Sequence, residues 1–199
     1  MRIKAPMATP PGEPEGASPL VRAYFDIHHL KQLFRQGWLR SGIDAEHGES
    51  VADHVFGTAT MAMMLADSLR PDLDVSQVLR LALLHDLGEA YAGDITPADG
   101  IDAADKHTRE RAAVEQIVGE LPGGDRYLTL WDEYEAGSSP EARFVRRVDR
   151  LEMALQATVY GAQGFGGLGE FLASARADIA GSELEPLLEE LEGLADRGR

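Results

Sequence analysis

The sequence predicts an all-α fold, and three observations lead to this prediction. No segment shows the alternation of apolar and polar residues that a half-buried strand requires. Apolar residues instead recur every three or four positions over long stretches, as they do along one face of a helix. Glycine and proline separate these stretches from one another. The predicted helices cover residues 20–36, 50–70, 74–91, 102–120, 125–135, 140–160, 168–179 and 182–195.

The first 19 residues differ in composition from the rest of the chain. They contain five of the ten prolines and few apolar side chains that a core could bury. We therefore predict a disordered tail, rich in proline and glycine, over residues 1–19. Residues 20–199 have a globular composition and are predicted to form one domain with additional helices at its C-terminal end.

The first two predicted helices have clear boundaries. The first, over residues 20–36, is predicted to end at Gly37, and its apolar positions are Leu20, Tyr24, Ile27, Leu30 and Phe34. Ser50 and Asp53 have the spacing of a capping box that opens the second helix, and Pro71 stops it. The predicted buried stripe of the second helix is Val51, Val55, Ala59, Ala62, Leu65 and Leu69.

The third predicted helix covers residues 74–91. Between Arg80 and Leu87 it is apolar apart from His85 and Asp86, so it is predicted to cross the centre of the domain. A loop follows at Gly93 and Pro97. Residues 161–169, GAQGFGGLG, are predicted to form a loop that does not bind phosphate, because no strand precedes it and no Lys-Ser/Thr pair ends it. The helix over residues 140–160 is predicted to bury Phe144, Val148, Leu151 and Leu155.

Charge and composition exclude several classes of function. The formal net charge is −15, which disfavours binding to long nucleic acids and to anionic membranes. No stretch reaches the ~20 apolar residues of a membrane span, and the N-terminus has no secretory signal, so we predict a cytoplasmic protein. The chain has no cysteine, so a metal would be held by His, Asp and Glu.

Four polar side chains lie at positions where the predicted helices should be apolar: His54, His85, Asp86 and Asp149. A buried carboxylate without a partner costs several kcal/mol, so the two aspartates require a cation. Two imidazoles and two carboxylates are a suitable donor set for a divalent ion. Because adjacent helical residues point about 100° apart, His85 and Asp86 can share an ion only near the end of their helix. The alternatives are that each histidine is a satisfied core residue and that Asp149 pairs with Arg146.

Several segments around these residues match a known pattern: ESVADH (49–54), LALLHDLGEAYAGDITPAD (81–99), KHTRERAAVEQI (106–117) and LWDEYEAGSSPEARFVRRVDRLEM (130–153). A histidine early in one helix, a His-Asp pair in the next and an aspartate in a later one resemble the HD-domain phosphohydrolase superfamily. The surrounding residues resemble its 5′-deoxynucleotidase subgroup. The resemblance covers about residues 25–180.

The resemblance implies four metal ligands, His54, His85, Asp86 and Asp149. It also implies that Glu89 and Asp94 lie beside the metal, where they take part in catalysis or hold a second, weaker cation. It implies a divalent cation without distinguishing among Mn, Co, Mg, Zn, Fe and Ni.

The resemblance further implies two contacts with the substrate. Trp38 matches a tryptophan of the substrate pocket. Some bacterial members have an arginine directly before this tryptophan, where the chain has Gly37. Arg35, three residues before Trp38, is therefore the candidate for binding phosphate.

The residues themselves support some of these roles and leave alternatives. Glu89 lies four positions after His85, so on a continuous helix it would project towards the metal and could orient water or move its proton. Glu89 could equally lie in solvent, Asp94 could serve only as a turn residue, and Trp38 could be a core residue. At least two of the arginines near Asp149 are predicted to lie on a solvated face and to pair with Glu141, Asp132 or Glu133: Arg146, Arg147 and Arg150.

These observations lead to one main hypothesis and two alternatives. The main hypothesis is a metal-dependent phosphomonoesterase that hydrolyses 2′-deoxyribonucleoside 5′-monophosphates with activated water and without a covalent intermediate. The first alternative is another HD-type phosphohydrolase, such as a phosphodiesterase or a nucleoside-triphosphate hydrolase. The second is a non-catalytic helical interaction module stabilised by metal. The expected partners are a small nucleotide and, as the resemblance implies, a second copy of the chain in a homodimer.

Overall fold

The computed structural model describes residue 12 and residues 14–197, so most of the predicted tail over residues 1–19 lies outside the described residues. The described residues form α-helices and no strand, which confirms the all-α prediction. A single turn of 3₁₀-helix spans Pro97–Asp99. The α-helices are α1 (Pro19–His29), α2 (Gln36–Arg40), α3 (Val51–Leu69), α4 (Val75–Leu84), α5 (Glu89–Ala92), α6 (Ala103–Val118), α7 (Gly124–Ala136), α8 (Pro140–Ala162), α9 (Gly169–Ile179) and α10 (Glu185–Arg197).

The chain divides into two compact units. The first takes the chain up to residue 56 together with residues 83–136, and the second takes residues 57–82 and those from 137 onward. In the first unit α1, α5, α6 and α7 pack together around a core that includes Leu33, Val51, Val114 and Trp131. In the second unit α8 packs against α9 and α10. The prediction of one domain over residues 20–199 stays a prediction.

The first predicted helix is shorter in the structure than in the prediction. It ends at His29 rather than at Gly37, and Gly37 lies inside the separate helix α2. The helix ends at His29, and backbone groups of the segment that follows form hydrogen bonds with residues near the start of α3. The N–H of Val51 donates to the carbonyl of Leu33 (2.9 Å), and the N–H of Arg35 donates to the carbonyl of Glu49 (3.2 Å). These bonds join the segment before α2 to the start of α3.

The helix α3 begins as predicted, with a capping box. The N–H of Asp53 donates to Oγ of Ser50 (3.1 Å), and the N–H of Ser50 donates to the carboxylate of Asp53 (2.8 Å). Val51, Ala59 and Ala62 are buried as predicted, but Leu69 at the end of the stripe is 42% exposed.

The predicted helix over residues 74–91 is wrong in its length. The structure has α4, a tight turn over residues 85–88 and the short helix α5. In the turn, backbone N–H groups donate to carbonyls three residues earlier rather than four. For example, the N–H of Leu87 donates to the carbonyl of Leu84 (3.0 Å). The apolar sequence conceals this break, because a buried turn and a buried helix have the same composition.

In the second unit α8 carries the predicted core residues Phe144, Val148 and Leu151, whereas Leu155 is only partly buried. Two of the predicted ion pairs on this helix are wrong. Arg147 pairs with Glu183 (3.0 Å) and Arg150 pairs with Asp178 (3.2 Å), both of which follow α8 in the chain. The prediction considered only acidic residues that precede these arginines in the sequence, whereas their partners lie on segments that follow α8.

None of the described helices combines the length and the apolar character needed to cross a membrane.

Candidate metal centre

Two histidines meet in the first unit. His54 lies in the first turn of α3, and His85 directly follows the last residue of α4. Their side chains are buried, and their Nε2 atoms lie 3.3 Å apart. Two adjacent residues inside a helix point in different directions and cannot face one ion. Because α4 ends at Leu84, directly before His85-Asp86, both side chains of this pair can face the same ion.

Asp86 completes a group of three donors. Its Oδ2 atom lies 3.1 Å from Nε2 of His85 and 3.6 Å from Nε2 of His54, and the side chain is 17% exposed. Burial alone would raise the pKa of Asp86, but the charges of His85, His54 and Arg35 outweigh it and hold the pKa well below its usual range. This carboxylate is therefore ionised at neutral pH.

The three donor atoms fit a divalent metal. Donors that share a first-row cation at about 2.1 Å lie about 3.0–3.4 Å apart, and the three separations here are 3.1, 3.3 and 3.6 Å. Two imidazole nitrogens and a carboxylate oxygen are also a chemically suitable set for such an ion. The residues of this unit therefore fit the predicted metal.

The turn that carries His85 is fixed by α7. The indole Nε1 of Trp131 donates to the carbonyl of His85 (3.2 Å), and the ring of Tyr134 lies 5.3 Å from the imidazole of His85. Trp131 is fully buried, so its hydrogen bond satisfies two polar groups in the core.

Arg35 lies beside the three donors. Its guanidinium is 3.6 Å from the carboxylate of Asp86 and 3.7 Å from that of Asp94. Asp94 also accepts a hydrogen bond from the backbone N–H of Gln36, at the start of α2. The structure therefore brings together Arg35, Asp86 and Asp94, which lie far apart in the sequence.

Glu89 begins α5, and its side chain is 3% exposed. Its Oε2 atom is buried and has no hydrogen-bond partner among the described residues. Burial raises the pKa of Glu89 well above its ordinary value, and the negative charges of Asp86 and Asp94 add to this shift. The prediction that His85 and Glu89 share one continuous helix face is wrong, because the turn over residues 85–88 separates them.

Glu110 on α6 is a buried carboxyl that sequence reasoning did not single out. It is 7% exposed, and its Oε1 atom lies 3.5 Å from Nζ of Lys106. Burial raises the pKa of Glu110 to about 7. A Cβ atom on Gly88 would lie 2.7 Å from the carbonyl oxygen of Glu110, so glycine is required where the turn packs on α6. A charged residue on the apolar face of α6 was the available sequence signal.

The raised pKa of Glu110 predicts how the stability of the metal-free protein depends on pH. Its folded-state pKa of about 7 lies above the ordinary value of 4.5, so its contribution to stability is lost as the pH rises through this interval. We expect Glu110→Gln to gain about 2 kcal/mol in free energy of unfolding relative to the wild type between pH 5 and pH 8. Urea denaturation of EDTA-treated protein at both pH values measures this gain.

Glu115→Gln is the matched control, because Glu115 lies on the same helix with a side chain that is 64% exposed. Its free energy of unfolding should change between the two pH values by the same amount as that of the wild type. A Glu110→Gln variant that also follows the wild type would contradict the assigned cause.

Trp38 lies on α2 and is 2% exposed. Its Nε1 atom donates to the carboxylate of Glu49 (2.7 Å), which precedes α3. Glu49 is the first residue of the segment ESVADH, and no role was predicted for it. The contact between Trp38 and the substrate stays a prediction.

Asp149 lies on α8, in the second unit. Its side chain is 13% exposed, and its Oδ2 atom is 4.0 Å from Nε of Arg150. Its role as a metal ligand stays a prediction that rests on the sequence motif.

Comparisons with known proteins agree on one family. The family described as HD domain matches residues 27–191. The mouse protein named 5′-deoxynucleotidase HDDC2 is 40% identical over 170 residues, which cover 83% of this chain and 83% of that protein. A crystal structure of a protein from Pyrococcus horikoshii OT3 has a TM-score of 0.72 at 35% identity and covers 90% of this chain and 99% of that chain. A structure named "predicted metal-dependent phosphohydrolase" from Magnetospirillum magnetotacticum has a TM-score of 0.66 at 30% identity, over 90% of this chain and 93% of that chain.

Proposed function

The chain belongs to the HD domain family, and from this premise we propose that it is a metal-dependent phosphohydrolase that converts 2′-deoxyribonucleoside 5′-monophosphates to deoxynucleosides and phosphate. The observation that carries the proposal is the convergence of two imidazole Nε2 atoms and the carboxylate of Asp86 within 3.1–3.6 Å. The substrate class is supported by curated relatives that are named 5′-deoxynucleotidases.

The proposed metal ligands are His54, His85, Asp86 and Asp149. The first three are supported by their separations in the first unit, and Asp149 is supported by the sequence motif. A donor set of this type accepts Mn, Co, Mg, Zn, Fe or Ni, so the supply of metal decides which ion occupies it. A second, weaker cation is proposed near Glu89 and Asp94, where acidic side chains outnumber basic ones.

A bound divalent cation supplies Lewis acidity, which polarises a phosphoryl oxygen and makes water more acidic. The side chains around it have separate proposed tasks. Arg35 binds the phosphate, because its guanidinium lies beside the ligand carboxylate of Asp86 and offers a planar set of donors. Glu89 moves a proton, which is supported by its burial and by its raised pKa. Asp94 holds Arg35 in place and orients water.

The remaining proposals concern the surroundings of the reaction. Trp38 is proposed to line the nucleotide pocket, as the sequence resemblance implies. The enzyme is proposed to act as a homodimer in the cytoplasm, and both proposals rest on the same resemblance and on the sequence.

A substrate panel tests the proposed function. Purified protein is stripped with EDTA, reloaded with Mn²⁺, Co²⁺ or Mg²⁺, and assayed for release of phosphate. We expect release from deoxynucleoside 5′-monophosphates with at least one metal, no release from stripped protein, and much slower release from ribonucleoside monophosphates. Faster hydrolysis of triphosphates or phosphodiesters would favour another HD-type phosphohydrolase. Stoichiometric metal binding without turnover of any of these substrates would favour a non-catalytic module.

A further inference from the structure

The helix α5, which carries Glu89, is held in place by its neighbours. It has only four residues, and an isolated helix of this length is not stable in water. It packs against both α1 and α6. Two polar side chains of α1 form hydrogen bonds with α5.

The first contact joins Asp26 of α1 to Tyr91 of α5. The hydroxyl of Tyr91 donates to Oδ1 of Asp26 (2.6 Å), and Asp26 is 4% exposed. A buried carboxylate is costly unless it is hydrogen-bonded, so this bond fixes the two side chains relative to each other.

The second contact joins His29 of α1 to the backbone of α5. Nδ1 of His29 is hydrogen-bonded to the carbonyl of Ala90, the residue that follows Glu89, and His29 is 3% exposed. A carbonyl can only accept a hydrogen bond, so Nδ1 carries the proton. The bond fixes the backbone next to Glu89 rather than a side chain.

The composition of α1 is unusual for a helix that is needed only for packing. It buries Asp26 and His29 and exposes the larger apolar side chains of Leu20, Tyr24 and Ile27. Buried apolar residues would stabilise the contact with α5 without the cost of burying polar groups. Hydrogen bonds, in contrast, fix distance and direction to a degree that apolar contact does not.

We propose that Asp26 and His29 are positioning residues that hold α5, and with it the carboxyl of Glu89, in the orientation required for proton transfer. The kinetic test of this inference rests on the proposed function. The structural test concerns only the stability of α5 and does not require activity. Neither residue contacts the substrate, and both act through Glu89.

The kinetic test uses Tyr91→Phe, which removes one hydroxyl and retains the ring. A small displacement of a catalytic group lowers the rate of the chemical step without changing substrate binding. We expect kcat to fall about tenfold while KM stays within about twofold of the wild type and the metal content is unchanged. Tyr24→Phe is the matched control, because Tyr24 lies on α1 with 58% of its surface exposed, and it should match the wild type.

A double-mutant cycle separates positioning from general stability. If Tyr91 acts through Glu89, Tyr91→Phe should have little further effect on kcat in a Glu89→Gln background. Asp26→Asn retains an acceptor for the tyrosine hydroxyl and should keep kcat within about threefold of the wild type. Asp26→Ala removes the acceptor and should lower kcat at least as much as Tyr91→Phe. An unchanged kcat for Tyr91→Phe, or an equal loss in both backgrounds, would overturn the proposal.

Amide hydrogen exchange gives a readout that is independent of activity. We expect peptides that span residues 88–93 to exchange faster in Tyr91→Phe than in the wild type, and Tyr24→Phe to leave their exchange unchanged. Equal exchange in Tyr91→Phe and the wild type would overturn the proposal. If the wild type hydrolyses no nucleotide, the proposed function fails, and the exchange experiment still decides whether Asp26 holds α5.

Discussion

Replacing Asp86 with asparagine is expected to remove most of the phosphohydrolase activity. Asparagine has nearly the same shape but no charge, and Asp86 supplies the anionic oxygen that lies 3.1 and 3.6 Å from the two imidazole nitrogens. Changes to groups that only support a metal ligand cost 10–100-fold in affinity or activity, so we expect a loss of at least about 10³-fold in kcat/KM for a ligand itself. Metal content, measured by elemental analysis after dialysis, should fall in parallel with the rate of phosphate release.

Asp72→Asn is the matched control for this experiment. Asp72 lies in the second unit with a side chain that is 63% exposed and paired with Arg70, so its replacement should change neither metal content nor rate. Added metal should partly restore the rate of Asp86→Asn, because the amide oxygen is a weaker ligand in the same place. Full metal occupancy together with a wild-type rate would show that Asp86 is not a ligand.

The sequence alone singled out three side chains whose donor atoms lie close together in the structure. His54 and the pair His85-Asp86 stand out because polar side chains in apolar helices require a partner, and no partner is available nearby in the sequence. The structure places their donor atoms within 3.6 Å of one another. The start of α3 could be predicted for a different reason, because its capping box is formed by two residues that are close in sequence.

Features that depend on distant partners could not be predicted. The helix α1 is the clearest example. Leu20, Tyr24 and Ile27 belong to the apolar positions of the predicted helix, and all three are more than 40% exposed. The helix instead buries Asp26 and His29, whose partners lie more than 60 positions away on α5. The periodicity of a sequence shows which residues are apolar. It does not show which polar residues are buried by a hydrogen bond to a residue that is distant in the sequence.

The break between α4 and α5 has a related cause. The turn over residues 85–88 is buried against α6, where Gly88 lies close to Glu110. In and directly after this turn, backbone N–H groups donate to the carbonyl three residues earlier. An apolar sequence does not show whether the backbone forms these hydrogen bonds or the four-residue bonds of an α-helix. The role of Glu110 was missed for the same reason, because its burial depends on this packing.

Replacing Glu89 with glutamine is expected to separate activity from stability. Glutamine has the shape of the neutral carboxyl group that burial favours at this position, but it cannot transfer a proton. Loss of a general acid or base costs about 10²–10⁴-fold in rate, so we expect kcat to fall by this factor while metal content and KM are retained. Phosphate release under saturating substrate, with elemental analysis of the same sample, measures both quantities.

The stability of Glu89→Gln should change in the opposite direction. Because the pKa of Glu89 is raised in the folded protein, ionisation of this carboxyl at high pH lowers the free energy of unfolding, and glutamine removes that loss. In metal-free protein the variant should therefore be at least as stable as the wild type, and its advantage should increase as the pH rises. Glu115→Gln, at an exposed position, should change neither rate nor stability. If the buried carboxyl group of Glu89 is needed for the reaction and not for folding, Glu89→Gln should be more stable than the wild type and should have a lower kcat. An unchanged kcat would show that Glu89 has no part in the mechanism.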